Sequence, residues 1–211
     1  MRGYIVTSFD SIRVEAPVRI MLTTGSGVSG TGEGDREGLD RVVLSVSGGA
    51  LTVTMTEPAQ GGFANGKAAS VPTLYLSTGQ VRRAQVIGGG VLVIEELNGL
   101  EADLSLNGNG ELLVKKADVE RLSLYVGGGG RLSVAGKARD VRASVNGPGA
   151  LEAGALDAST ATVANDGPGS IRLKAHGPVK VTSTGSGDTM IDGKPVCAIE
   201  QRGVGQVICA Q

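Results

Sequence analysis

Pairs of the form Gly-x-Gly return at a nearly constant interval along the last two-thirds of the chain. They are Gly88 and Gly90, Gly108 and Gly110, Gly128 and Gly130, Gly147 and Gly149, Gly167 and Gly169, Gly185 and Gly187, Gly203 and Gly205. The second glycines are separated by 20, 20, 19, 20, 18 and 18 residues. A fixed period of that length marks a stacked-coil repeat protein, in which one small unit is copied and each copy buries its apolar face against its neighbours.

The residues around each pair repeat as well. Two and four positions after the second glycine stand Leu92 and Ile94, Leu112 and Val114, Leu132 and Val134, Leu151 and Ala153, Ile171 and Leu173, Thr189 and Ile191, Val207 and Cys209. Four before the first glycine come Ala84, Leu104, Leu124, Ala143, Val163, Val181 and Ile199; six before it come Arg82, Ala102, Leu122, Val141, Ala161, Val179 and Cys197. Apolar residues at alternate positions on both sides of a corner predict two short strands, each with one buried face. No apolar set with three-and-four spacing runs long enough to predict a helix. Stacking the copies at about 4.8 Å per layer lets their backbones pair and joins the apolar rows into one thin core. An antiparallel sandwich would also alternate, but it would not require the same residue classes at the same offsets in every copy. The expected fold is all-β: a parallel β-helix of about seven coils over residues 79–211, continuous with an N-terminal β region and first coils over 1–78. Turn formers near Asn98-Gly99, Gly136-Lys137, Gly154, His176-Gly177-Pro178 and Gly193-Lys194-Pro195 mark the opposite corner. The stretches 25–34 and 58–70 read as loops, where binding contacts often lie.

Outward positions carry charges of opposite sign at matching offsets in adjacent copies: Glu111 and Arg131, Glu152 and Arg172, Glu95 and Lys115, Lys174 and Asp192, Arg83 and Asp103. Stacked coils would place each pair side by side, where it fixes register and contributes about 0.2–1 kcal/mol. Lysine plus arginine total 20 against 21 acids, with both signs interspersed, so nothing favours nucleic acid or an anionic membrane surface. No apolar run approaches the roughly 20 residues of a membrane span, and Met1 to Asp10 does not resemble a signal peptide. The two cysteines, Cys197 and Cys209, flank the final corner at inward offsets. They suit a disulfide stapling the end of the stack, although their offsets are staggered; two buried thiols are the alternative.

The stretch from Leu104 to Leu112 (LSLNGNGEL), that from Val179 to Asp188 (VKVTSTGSGD), and the preamble segments FDSIRVEAPVRI (9–20), LTVT (51–54) and VPTLYL (71–76) resemble the bacterial putative auto-transporter adhesin, head GIN domain family. The resemblance covers about residues 5–209. It implies a right-handed β-helix, exported to the periplasm or surface of a Gram-negative cell, with adhesion as the suggested role and no established activity. The corners depart from the family's Gly-Ser-Gly-Asp: Gly-Pro-Gly, Gly-Gly-Gly and Gly-Val-Gly replace most copies, so no shared serine or aspartate chemistry is carried over.

Catalysis and cofactor binding find little footing. The outward carboxylates Glu111, Glu152, Asp188 and Asp192 are scattered, and lyase or hydrolase chemistry needs clustered acids and bases. The one histidine, His176, falls at a corner, without a Gly-x-Ser-x-Gly elbow and with no pocket expected to join it to two acids. Calcium-binding repeats would need an aspartate at every copy, whereas only Asp188 stands there; its counterparts are Val91, Glu111, Arg131, Ala150, Ser170 and Gln206. No catalytic, cofactor or metal site is therefore expected. Tryptophan is absent, and of Tyr4, Phe9, Phe63, Tyr75 and Tyr125 only Tyr125 is placed outward near a corner. The functional expectation is a non-enzymatic adhesin or envelope interaction module whose partner is a protein or cell surface; a second copy of the chain is one partner such a face would accept. The alternatives are a glycan-acting hydrolase or lyase and a purely structural envelope element.

Overall fold

The computed structural model describes residues 1–57 and 71–210, so the expected loop at 58–70, with Phe63, lies outside the described residues. The chain forms a flattened β-solenoid of about six turns, close to the seven coils expected. In chain order its elements are β1 (Arg2–Gly3), β2 (Ser11–Val14), β3 (Arg19–Thr24), β4 (Ser29–Glu33), α1 (Arg36–Arg41), β5 (Val42–Ser47), β6 (Ala50–Met55), β7 (Thr73–Thr78) and β8 (Arg83–Ile87). The repeats follow as β9 (Val91–Asn107), β10 (Glu111–Val126), β11 (Arg131–Val145), β12 (Ala150–Asn165), β13 (Ser170–Ala175), β14 (Pro178–Ser183), β15 (Thr189–Gly193), β16 (Val196–Gln201) and β17 (Val207–Cys209).

The repeats pair in parallel, one lap on the next. Leu92, Leu112, Leu132, Leu151 and Ile171 fall in register along one wall, and Leu104, Leu124, Ala143, Val163 and Val181 along the other. All ten are buried. Both rows point inward because strand side chains alternate, and the layer between the walls is filled almost entirely by aliphatic groups. A third inward row, two residues before each first glycine, runs through Leu106, Val126 and Val145, then turns polar at Asn165 and Ser183, both fully buried. One expected inward residue is not inward. Arg82 is exposed, 3.9 Å from Asp10, because the neighbouring Val81 takes the buried position as the chain enters β8.

Contact between laps builds the Gly-x-Gly corners. A Cβ on Gly147 would lie 2.6 Å from the Gly128 carbonyl oxygen, and one on Gly149 would lie 2.5 Å from those of Gly128 and Gly130. A Cβ on Gly110 would run into the Gly90 carbonyl oxygen, and one on Gly205 into that of Gly187. Gly90 itself, at the first corner, would meet the Ala16 carbonyl at 2.6 Å. The laps can close to hydrogen-bonding distance only without side chains here. The Arg131 N–H donates to the Gly110 carbonyl at 3.1 Å, Ser170 to Gly149 at 3.1 Å, Gly187 to Gly167 at 3.0 Å and Gly205 to Gly185 at 3.4 Å. Gly88 departs from this pattern: nothing lies within 4 Å of its Cβ position, and a φ of 89° is what favours glycine there. The opposite corner differs from expectation. In β9 to β12 the strand bends through it without a break, absorbing the change of direction at register shifts such as those at Val114/Ala117 and Ala153/Asp157. From β13 onward the period shortens to 18 residues, and the strands separate at His176-Gly177 and again at Lys194-Pro195.

The N-terminal third is wound out of order. The lap formed by β2 and β3 lies inside the stack, between β6/β7 on one side and β8/β9 on the other. The chain thus visits the outermost lap second and crosses back to start the repeats. Part of the expected 25–34 loop is strand β4, which pairs antiparallel with β7, while β5 pairs antiparallel with β6. These strands cover what would be an open end of the solenoid, with Leu39 of α1 buried beneath them. The other end is uncovered. β16 and β17 each pair on one side only, and Ile199, in an inward row, is 46% exposed for lack of a further lap. There Cys197 and Cys209 face each other across the last lap, their Cα atoms 6.6 Å apart and their sulfurs joined.

Candidate functional site

The outer face of the wall preceding the Gly-x-Gly corners is concave. Its outward residues come from the second halves of β9 to β12 and from β14, and they form rows along the solenoid axis because equal offsets stack. One row reads Asp103, Ser123, Arg142, Thr162, Lys180; the next, two residues on, reads Ser105, Tyr125, Ser144, Ala164, Thr182. Small side chains dominate, so the face is hollowed into two adjoining troughs of about 550 and 420 Å³. Tyr125, marked in the sequence as outward, is half-buried in the smaller trough. Its ring lies where a Cβ on Gly127 would sit, 2.9 Å from the phenol oxygen, so that glycine makes room for it.

The charges of the trough divide along its length. At the end nearer β8, Glu101 pairs with Arg121, and Asp103 lies 3.8 Å from Arg83. In the middle, Asp140 accepts a hydrogen bond from the Thr160 hydroxyl. Arg142 and Lys180 have no ion-pair partner among the described residues and are exposed. Position alone could not reveal this, because pairing depends on which neighbours are already taken.

The ladder of outward charges is partly as expected. Lys115 meets Glu95 at 2.7 Å and Arg83 meets Asp103; Lys116–Glu96, Lys137–Asp118 and Arg139–Glu120 add pairs of 3.0–3.1 Å on neighbouring rows. The Lys116 ammonium, hydrogen-bonded to Glu96, holds that carboxyl below its ordinary value, with Asn98 adding a weaker bond. Three expected pairs differ. Glu111 and Arg131 are in register without closing to an ion pair. Arg172, in register with Glu152, reaches diagonally to Asp192 at 2.9 Å, and Lys174, in register with Asp192 on one side, lies 4.0 Å from Asp157, which the register shift after Ala153 places opposite it on the other.

His176 also departs from expectation. It lines a hollow of about 360 Å³ with Asp118, Glu120 and Asp157, so a pocket does join the histidine to more than two acids. Stacking of the opposite corner, which brings equal offsets from three laps together, is the cause. Each acid is engaged: Asp118 by Lys137, Glu120 by Arg139, and Asp157 by His176 Nε2 at 2.6 Å. Asp188, the lone aspartate of calcium-repeat type, accepts from the Gln206 N–H at 2.9 Å and so ties one lap to the next. Among the described residues no group of three or more His, Cys, Asp or Glu side chains could hold a metal ion.

Sequence reasoning missed the polar column inside the last laps. The Asn165 amide donates to the Gly169 carbonyl at 3.0 Å and to Thr189 Oγ1 at 3.2 Å. The switch from Val145 to Asn165 to Ser183 at one inward offset was its visible signal.

The family pattern described as putative auto-transporter adhesin, head GIN domain, matches residues 8–195. The chain belongs to this family. Among solved structures it is similar to a putative adhesin from Bacteroides fragilis, at 19% identity and a TM-score of 0.85, covering 100% of this chain and 95% of that one. A protein described as a putative lipid binding protein from Parabacteroides distasonis aligns at 17% identity and 0.78, covering 100% and 96%. A putative adhesin from Parabacteroides merdae aligns at 15% and 0.70, covering 100% and 95%. Identities this low establish the shared fold. No curated protein matches the chain. Among the described residues no helix is long and apolar enough to cross a membrane.

Proposed function

We propose that the chain is an exported, non-enzymatic binding module of the bacterial cell surface, and that the concave face carrying Tyr125, Arg142 and Lys180 is its contact surface. The observation that carries this reading is the trough: a rigid hollow spanning several laps, floored by small hydroxyl side chains and open to solvent. An elongated partner gains contact on every lap it crosses, so such a face suits a chain-like or surface-bound partner better than a compact small molecule. The family's suggested role in adhesion supports the same reading. The hydrolase or lyase alternative finds its best footing at His176, where Asp118, Glu120 and Asp157 face Lys137, Arg139 and, at 4.0 Å, Lys174. Glycoside cleavage by a pair of carboxylates needs them free of such cations.

The test fills the trough. Ser123→Trp and Ser144→Trp place a ring on its floor without touching the core. Labelled protein carrying either change is expected to lose attachment to whole cells and isolated envelopes, while Arg131→Ala on the other wall retains it. Equal attachment by all three proteins would show that the contact surface lies elsewhere.

A further inference from the structure

We infer that the trough binds an acidic polysaccharide, an extended polyol chain bearing carboxylate or sulfate groups. The inference rests on the trough being the contact surface. Arg142, Thr162 and Lys180 are register neighbours on three successive laps, so the two cations stand about 10 Å apart along the trough, two ladder steps of ~4.8 Å. Neither has an ion-pair partner among the described residues, whereas Glu101, Asp103 and Asp140 of the same hollow are engaged by Arg121, Arg83 and Thr160. The acids towards β8 are thus offset by Arg121 and Arg83, and the unpaired positive charge of the trough lies towards β14. An anionic chain would be drawn to the basic part and oriented by the charge gradient.

Three further features select a glycan over a peptide. The strands below Arg142 and Lys180 are each paired on both sides, β11 with β10 and β12, and β14 with β12 and β16. An incoming peptide therefore finds no free edge to extend, and recognition falls to side chains. Beside the two cations those side chains are hydroxyls: Thr162 between them and Ser144, the next outward residue of β11, both donate and accept hydrogen bonds, as a polyol requires. Tyr125 then supplies a flat apolar surface with a hydroxyl at its edge in the adjoining hollow, suited to a sugar ring face. Guanidinium meets carboxylate or sulfate through two parallel N–H donors, while the Lys180 ammonium acts as a point charge, so Arg142 sets the geometry and Lys180 adds attraction.

The experiment titrates the full chain, by calorimetry at two salt concentrations, with oligogalacturonate, dextran sulfate oligomers, neutral dextran oligomers and poly-L-glutamate. Saturable, salt-weakened binding of oligogalacturonate or dextran sulfate is expected, the stronger of the two naming the anionic group, with no binding of neutral dextran. Arg142→Gln and Lys180→Gln should each weaken it about tenfold, the usual loss when one charge-assisted hydrogen bond goes, and Arg131→Gln should leave it unchanged. Binding of neither acidic glycan, binding indifferent to both substitutions, or tighter binding of poly-L-glutamate would each overturn the inference. If the trough-filling variants lose cell attachment while no acidic glycan binds, the ligand class fails and the contact surface stands. If they keep attachment, the contact surface itself fails.

Discussion

Replacing Gly147 by alanine probes the corner on which the stacking depends. Gly147 is buried in a central lap and its φ is not positive, so the substitution adds no backbone strain and reports packing alone. The new methyl would sit 2.6 Å from the Gly128 carbonyl oxygen and 2.8 Å from that of Gly127, about 0.8 Å inside the 3.4 Å at which ordinary contact begins. To relieve it the laps must part by a similar amount. The flanking ladder bonds, Asn146 N–H to Val126 and Ala150 N–H to Gly130, both 3.0 Å, would then stretch past hydrogen-bonding range. Two lost bonds that leave enclosed backbone groups unpaired cost about 3 kcal/mol. For a chain of this size that lowers the melting temperature by about 6–12 °C. Two alanine controls separate the causes. Gly89 has nothing within 4 Å of a Cβ and an ordinary φ, so Gly89→Ala should be silent; Gly88 has equally open space but φ of 89°, so Gly88→Ala should cost about 1–2 kcal/mol. Melting followed by circular dichroism reads all three. If Gly147→Ala melts within 2 °C, on the order of the ±0.5 kcal/mol of an ordinary surface change, of Gly89→Ala, contact between laps does not determine the corner.

Three further outcomes follow from other parts of the molecule. We propose that the Cys197–Cys209 disulfide holds the uncovered end: Cys197→Ser with Cys209→Ser should raise amide exchange in β16 and β17 by about two orders of magnitude, the loss of ~3 kcal/mol that a loop of this length carries. Exchange in β10 and β11 should stay unchanged, and equal exchange at both places in the two proteins would remove the disulfide from that role. Because Lys116 depresses the Glu96 carboxyl, its contribution to stability is present above the ordinary glutamate range and is lost as pH falls through the depressed folded value. The Glu96 side-chain carbon should therefore titrate in NMR below a model glutamate and return to it in Lys116→Met; a midpoint unmoved by that change would refute the pairing. Leu39→Ala, at the buried contact of α1 under the N-terminal cover, should cost about 2–4 kcal/mol, with exchange rising first in β4 and β7.

The repeats were legible in the sequence because one physical requirement recurs in them lap after lap. Leu112, Leu132 and Leu151 must point inward and a glycine such as Gly110, Gly149 or Gly205 must stand where laps touch, so both appear at fixed offsets. The N-terminal third obeys the same alternation, but alternation says nothing about which lap a strand joins. Hence β2 and β3 lie inside β6 and β7 with no sign of it in the sequence, and Ser29–Glu33, rich in glycine and lacking aliphatic residues, reads as loop while pairing with β7. Arg82 reads as inward because a one-residue offset inverts the face at a strand entrance. For the trough, the outward direction of Tyr125 was visible. The hollow was not, since it depends on five laps of small side chains stacking in register, and the freedom of Arg142 and Lys180 depends on partners drawn from other laps.

Spin labels at equal offsets on successive laps test the stacking most directly. Glu101 and Val196, both exposed, and the half-buried Thr160 are outward positions at one offset. Thr160 lies three laps from Glu101 along the same wall, and Val196 five. Dipolar distances from a label at Glu101→Cys to labels at Thr160→Cys and at Val196→Cys, in a Cys197→Ser, Cys209→Ser background, should differ by about 10 Å, since each lap adds one ~4.8 Å ladder step. A difference near ~20 Å, four such steps, would mean two strands per repeat lying side by side in one sheet, and the parallel solenoid would be the wrong description.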